Sequence, residues 1–346
     1  MSGMGDVVEF IPDRASREDW ARQHAFRRVL QAEWRPEDPL PPDDVFELRR
    51  THVDPHEYRR WFNVLDGDQV VAELQVEVRT PESPEYPTSK HLMWGWAYIL
   101  PSHRGRGIGR SFVPVLVTLM EEYGATVLSS SGEDEPGHAF LRRLGAEPKL
   151  VERASRLDLR EVDWDMVSRW VAEGQARSPG ARLELMTPFV PDELLDGHCV
   201  TLNELLNTMP FEGLDHGEIV MTPESVRVWR GRMQKIGSVN PTYRVRDADG
   251  SISGMTDVLK HRYEPGIVRQ MFTGVHPRAR GRGLGKWLKA AMLEHVREAY
   301  PDTVWITTGN ARSNASMLAI NHGLGFRLYR TETFFQVGRD TLRGSV

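Results

Sequence analysis

"HPRARGRGLGKWLKAAML", residues 276–293, has a near-double earlier in the chain: "LPSHRGRGIGRSFVPVLV", residues 100–117. The arginines and glycines coincide when Arg104 is set against Arg280, 176 residues later. Each copy follows an apolar, β-rich run ("LMWGWAYIL" or "IVRQMFTGV") that ends at Pro101 or Pro277. Each leads into a helical apolar stripe. In the second copy Leu284, Trp287, Leu288, Ala291, Met292 and Val296 share one face, and in the first Ile108, Phe112, Val115, Leu116, Leu119 and Met120 do the same. Pro114 should interrupt the first of these helices, because an interior proline lacks the N–H and clashes with the preceding turn.

The match runs past the loops. "TVLSSSG" from Thr126 echoes "TVWITTG" from Thr303, and "RRLGAEP" aligns with "HGLGFRL" through Gly145 and Gly325. Upstream, "NVLDGDQVVAELQVEV" and "YRVRDADGSISGMTDVL" both read as hairpins, with turns at Asp66-Gly67 and Asp249-Gly250. The period is far longer than that of a solenoid, so the chain reads as a duplicated domain. We expect an N-terminal domain over 1–160, a linker helix and turn over 161–180, and a C-terminal domain over 181–346. "KLVERASRLDL" reads as the strand that closes the first copy.

Composition agrees with two folded domains: 346 residues, 40% apolar and 27% charged. A net charge of −5 offers no general positive field for a polyanion, so nucleic acid is not an expected partner. The single cysteine, Cys199, excludes an internal disulfide and fits a reducing compartment. "MSGMGDVVEF" has no secretory character and "VPVLVTLM" is too short to span a bilayer, so a cytoplasmic protein without membrane attachment is expected. His52 and His56 in "HVDPH" are four apart, but Pro55 disrupts the helix that would bring them together, and no metal is expected.

A strand that passes through close-set glycines into a helix presents unpaired N–H groups and a positive helix end, which suits an anion such as phosphate. Arg104, Arg106, Arg280 and Arg282 add charge. A P-loop would need glycine at Arg280 and a hydroxyl residue at Trp287; a dinucleotide fingerprint would need glycine at Arg110 and Lys286. What stands instead is Arg-x-x-Gly-x-Gly after a strand-ending proline.

On "ILPSHRGRGIG", "VHPRARGRGLG" and the later "LGF", the chain resembles the GNAT acetyltransferase superfamily, in a tandem arrangement similar to that of mycothiol synthase. The resemblance implies an α/β (α+β) fold class. Each of the two GNAT domains would have a mixed, mostly antiparallel sheet flanked by helices, with a splayed parallel strand pair. It also implies acetyl-CoA as cosubstrate, its pyrophosphate held by Val275, Arg280, Gly281, Arg282, Gly283, Gly285 and Lys286, with Asn310 and Asn314 nearby. Arg104, Gly105, Arg106, Gly107 and Gly109 are the first-copy counterparts.

Asn310 or Asn314 can cap a helix in the second copy, with Gly323 ending it. The first copy has Asp134 where Asn314 stands and Ala146 where Phe326 stands, so the second domain is expected to be catalytic and the first degenerate. Many GNAT enzymes carry a proton-donating tyrosine where this chain has Asn321. Tyr329 is the substitute candidate, with Asp257, Glu218 and His276 as candidate bases and an oxyanion donor expected among Thr273–Val275. Acids in "NTMPFEGLDHGEIVMTPE" would suit a cationic small-molecule amine. Asn321 and the altered first copy also fit a non-catalytic acetyl-CoA sensor. Oligomeric state is not legible.

Overall fold

The computed structural model describes residues 6–345. The chain forms two compact units, one of Met1–Lys149, Gly213–Glu218 and Thr333–Val346, the other of Leu150–Glu212 and Ile219–Glu332. The first opens with β1 (Val7–Phe10), α1 (Arg17–Trp34), α2 (Asp43–Thr51), β2 (Glu57–Asp66) and β3 (Gln69–Arg79). It continues through α3 (Tyr86–Ser89), β4 (Leu92–Ile99), α4 (Ile108–Ser111), α5 (Val113–Glu122), β5 (Val127–Gly132) and α6 (Glu135–Arg143). The chain then runs through β6 (Glu147–Asp158), α7 (Trp164–Arg177), β7 (Arg182–Met186), α8 (Leu195–Leu206), α9 (Pro223–Lys235) and β8 (Ser238–Val239). Next come β9 (Thr242–Arg246), β10 (Ile252–His261), β11 (Ile267–Val275), α10 (Leu284–Ala299) and β12 (Trp305–Ala311). It closes with α11 (Ala315–Leu324), β13 (Arg327–Gly338) and α12 (Arg339–Arg343).

The units are divided differently from 1–160 and 181–346. The strand after the first copy's "LGAEP" does not close that copy: β6 pairs antiparallel with β12, Asp158 opposite Trp305 and Glu152 opposite Ala311. Residues 333–338 of β13 pair with β5 in the first unit instead. Each sheet is thus completed by a strand from the other copy. Neither strand's local pattern identifies its partner, which is set by register with a strand far away in the chain.

Within each unit the order is that of the expected fold. In the first, β1, β2, β3 and β4 are antiparallel neighbours and β4 then pairs parallel with β5. In the second, β7, β9, β10 and β11 are antiparallel and β11 pairs parallel with β12. Both parallel pairs are short. β4 and β5 share registers only over Leu92–Trp94, and β11 and β12 only over Ile267–Arg269, beyond which each pair opens.

The helix expected to link the domains belongs to the second unit, where α7 lies along α10. Gly174 permits that approach: a Cβ there would sit 2.3 Å from Trp287, which is buried. Nine residues of α10 are buried, nearly all the way round, so its burial goes well beyond the single apolar stripe read from periodicity. Each fully buried large side chain contributes about 1.5–3 kcal/mol to a core of this kind. Pro114 splits the first-copy helix into α4 and α5, where it sits in the first turn of α5 and needs no N–H partner.

Residues 213–218 belong to the first unit. The Gly213 amide donates to the Lys149 carbonyl, Gln336 exchanges hydrogen bonds with the Asp215 backbone, and the Glu218 amide donates to Thr88 Oγ1. No helix among the described residues is long and apolar enough to cross a membrane.

Candidate active site

The second-unit loop leaves β11 at Val275 and enters α10 through Gly281 and Gly283, both at φ of +82°, a conformation that favours glycine. Gly283 is the N-cap of a helix of 16 residues, whose first amides have no intrahelical partner. A cavity of about 610 Å³ opens beside it. Of the residues expected to hold the acyl donor, Val275, Arg280, Gly281, Gly283, Gly285, Lys286 and Asn314 line this cavity. Apolar wall comes from Leu205, Phe272, Met317 and Ile320.

Arg280 is held at its base, with Nε donating to the Val275 carbonyl and Nη2 to Thr208 Oγ1, both at 3.4 Å. It has no carboxylate partner among the described residues. Arg282 is committed elsewhere, donating to both oxygens of Asp247 at 3.0 and 2.7 Å, and does not line the cavity. Its guanidinium holds the Asp247 carboxyl below the usual range. Lys286 lies over the Trp170 ring at 4.7 Å.

The first unit repeats the loop with Arg104 ion-paired. Gly105 and Gly107 have φ of +74° and +85°, and a cavity of about 620 Å³ is lined by Arg104, Gly105, Gly107 and Gly109 but not Arg106. Arg104 forms a two-point ion pair with Glu33 from α1, at 2.6 and 2.7 Å. The helix that follows, α4, has only four residues.

Asn314 caps α11, accepting from the Met317 amide at 3.2 Å, and Gly325, at φ of +96°, ends it. Gly323 lies inside that helix and is not its end. Asn310 is in β12, outside the cavity wall, and accepts at 2.7 Å from Nδ2 of the buried Asn321. Asp134 caps α6 in the same way as Asn314 caps α11, so the change at that position keeps the capping role.

The three proposed catalytic residues are not brought together. Tyr329 lies against the Arg156 guanidinium, whose carbon is 3.6 Å from the ring centroid, and does not line the cavity. Glu218 belongs to the first unit, because the loop that carries it is bound there. Asp257 sits at a bulge in β10, where its Oδ1 accepts from the Phe272 amide at 3.0 Å and its Oδ2 from Asn240 Nδ2 at 2.8 Å. Burial pushes its carboxyl up to about 6 in spite of both hydrogen bonds. It does not itself line the cavity, whereas Phe272, whose amide it accepts from, does.

Three residues escaped the sequence reading. Arg177, the last residue of α7, lines the cavity beside Gly283 and has no partner among the described residues. Thr208 steadies Arg280. Lys289 is buried in α10, at a position that a one-faced helix would have left in solvent.

Glycine loop, splayed parallel pair and following helix together define a GNAT fold in each unit, and the chain is a tandem GNAT-fold protein. Residues 18–146 match the acetyltransferase (GNAT) family, whose members are in general N-acyltransferases. The match lies on the first copy, the one whose loop arginine is paired with Glu33. Among solved structures, a tandem GNAT protein from the clavulanic acid biosynthesis pathway is similar over 96% of this chain and 98% of its own, with TM-score 0.74 and 21% identity. A GCN5-related N-acetyltransferase from Sphaerobacter thermophilus is similar over 96% and 95%, with TM-score 0.64 and 14% identity. Among curated proteins no sequence match was found.

Proposed function

We propose that the chain transfers an acetyl group from acetyl-CoA to a primary amine of a small molecule, and that the second unit does so. The observation that carries this reading is Arg280. It stands at the mouth of a long helix with no carboxylate to neutralise it, while Arg104, its counterpart, is spoken for by Glu33. The residues fit the donor: bare amides and Arg280 suit a diphosphate, and the open pair of β11 and β12 beside Met317 and Ile320 suits a narrow, largely apolar arm. Arg282 and Arg106 drop out of the proposed diphosphate contacts.

Donor binding supplies an activated acyl carbon; this chain supplies position and a proton acceptor. Asp257, with its raised carboxyl, is the proposed base, and Thr273–Val275 the proposed source of an oxyanion donor. The acceptor is a small amine, and the reading goes with a cytoplasmic location. The pathway named for the tandem relative is that protein's, and at 21% identity the likeness carries the fold.

A second reading, a non-catalytic acetyl-CoA sensor, is favoured by one observation: Tyr329 is stacked on Arg156 and Asn321 cannot donate a proton as tyrosine does. An amine panel assayed for free thiol separates the two. Turnover by the wild type that Arg280→Glu abolishes and Arg104→Glu largely spares supports transfer in the second unit. Tight coenzyme A binding with no thiol released by any amine supports the sensor, and equal loss from both variants overturns the assignment to the second unit.

A further inference from the structure

Lys289 lies in the middle of α10 with 1% of its surface exposed and no acidic partner among the described residues. Its Nζ donates to Asn321 Oδ1 at 2.5 Å, and the Phe326 ring centroid is 5.1 Å away. Desolvation alone brings its pKa down to about 7. Burying an ammonium this way opposes folding, so packing does not explain it.

The internal repeat supplies the control. By the offsets that align the two copies, Lys289 and Asn321 correspond to Val113 and Leu141. Val113 is fully buried and Leu141 packs on the same apolar core. One fold therefore closes this helix junction with two hydrocarbons in one unit and with an amine and an amide in the other.

A lysine amine held this way offers hydrogens, so the atom of Asn321 that faces it is the carbonyl oxygen. That turns the Asn321 NH2 toward Asn310, which must answer with its own oxygen at 2.7 Å. The Asn310 NH2 is left as the free end and has no acceptor among the described residues. Amine, amide and amide form a chain of single polarity, in which each hydrogen bond strengthens the next at low dielectric.

The chain ends in the open strand pair, outside the cavity wall. Asn321 follows Ile320, which lines the cavity, but is itself buried and does not line it. Asn310 is three residues past Thr307, beyond the last register shared by β11 and β12 and so in the open part of the pair.

Resting on the acyl-transfer reading, we propose that Lys289 is a positioning residue which, through Asn321, holds the Asn310 NH2 as a hydrogen-bond donor to the leaving sulfur of the thioester. In that step the amine nitrogen forms the C–N bond and the C–S bond breaks. The bonding pair leaves on sulfur as a thiolate, and the amine proton passes to Asp257. Lys289 exchanges no proton in this step, because its amine donates to Asn321 whether charged or neutral, and the missing tyrosine is replaced by stabilisation of the anion.

The test reads the thiolate itself. Coenzyme A is added at saturation to wild type and to Lys289→Met at about pH 8, near a free thiol's own pKa, and thiolate absorbance in the ultraviolet is recorded against the protein alone. Cys199, the chain's only thiol, is buried with its pKa raised and is common to both proteins. The expected result is a several-fold larger thiolate fraction for coenzyme A bound to wild type, with calorimetric affinity in the variant within about threefold. With an accepted amine, kcat should fall about 100-fold while KM stays within about threefold. If the methionine variant does not fold, Asn310→Ala removes the terminal donor and should show the same loss. Equal thiolate fractions with coenzyme A bound overturn this inference and leave the acyl-transfer reading standing; no coenzyme A binding by wild type overturns both.

Discussion

Glu33 clasps Arg104 through both terminal guanidinium nitrogens, at 2.6 and 2.7 Å, and so places a carboxylate where the second unit's Arg280 has none. An anion entering the first loop must displace that carboxylate or accept its repulsion. The pair is partly exposed, so losing it should cost stability no more than about 1 kcal/mol. Glu33→Ala should therefore fold and gain a second, weaker coenzyme A site, which titration calorimetry would read as a stoichiometry rising from one toward two. A stoichiometry that stays at one would show that the ion pair is not what closes this loop.

Asp257 titrates near 6 and must be ionised to take a proton. The rate constant kcat/KM should climb as pH rises through about 6 and level off above it. Asp257→Asn keeps an oxygen for the Phe272 amide but loses the base, so its profile should lack that limb and lie about 10²- to 10⁴-fold lower. A variant that retains the wild-type limb would assign it to another group.

Lys289 has a folded pKa of about 7, well below its ordinary 10.5. Between those values the unfolded chain binds the proton and the folded chain does not. Stability is then fullest above the unfolded value and is lost as pH falls toward 7, by up to about 1.4 kcal/mol per pH unit. Urea denaturation at several pH values should show the wild type gaining stability relative to Lys289→Met across this window. A pH-independent difference between them would mean the amine is not buried uncharged.

Gly174 faces Trp287 across the contact of α7 with α10. A methyl group placed 2.3 Å from the indole cannot be absorbed by a small rotation. Gly174→Ala should destabilise the protein by about 1–3 kcal/mol, seen as a lowered midpoint in thermal or urea unfolding. An unchanged midpoint would mean that α7 can move away from α10 without loss.

Much of the architecture was legible in advance. The loop glycines, the hairpin turns, the apolar faces of α5 and α10 and the Asn314 cap all depend on residues within a turn or two of each other, and local pattern reports them faithfully. The candidate site was legible where it is local: Arg280, the glycines and Lys286. It failed where side chains depend on distant partners. Arg282 reads like Arg280, yet Asp247, far back in the chain, takes it. Glu218 sits in an acidic loop that follows the second unit's first helices, yet its backbone is bound at Thr88.

Backbone chemistry written into short stretches was enough to establish a duplicated strand, glycine loop and helix with an appetite for anions. Folding in three dimensions settled the rest: which copy lends each sheet its final strand, which loop arginine stays unneutralised, and that a lysine in mid-helix is sealed from water. Glu33 and Arg104 are 71 residues apart and Lys289 and Asn321 are 32 apart. Such pairings follow from strand register and helix packing, where many weak contacts are satisfied together, and composition and periodicity carry no record of them.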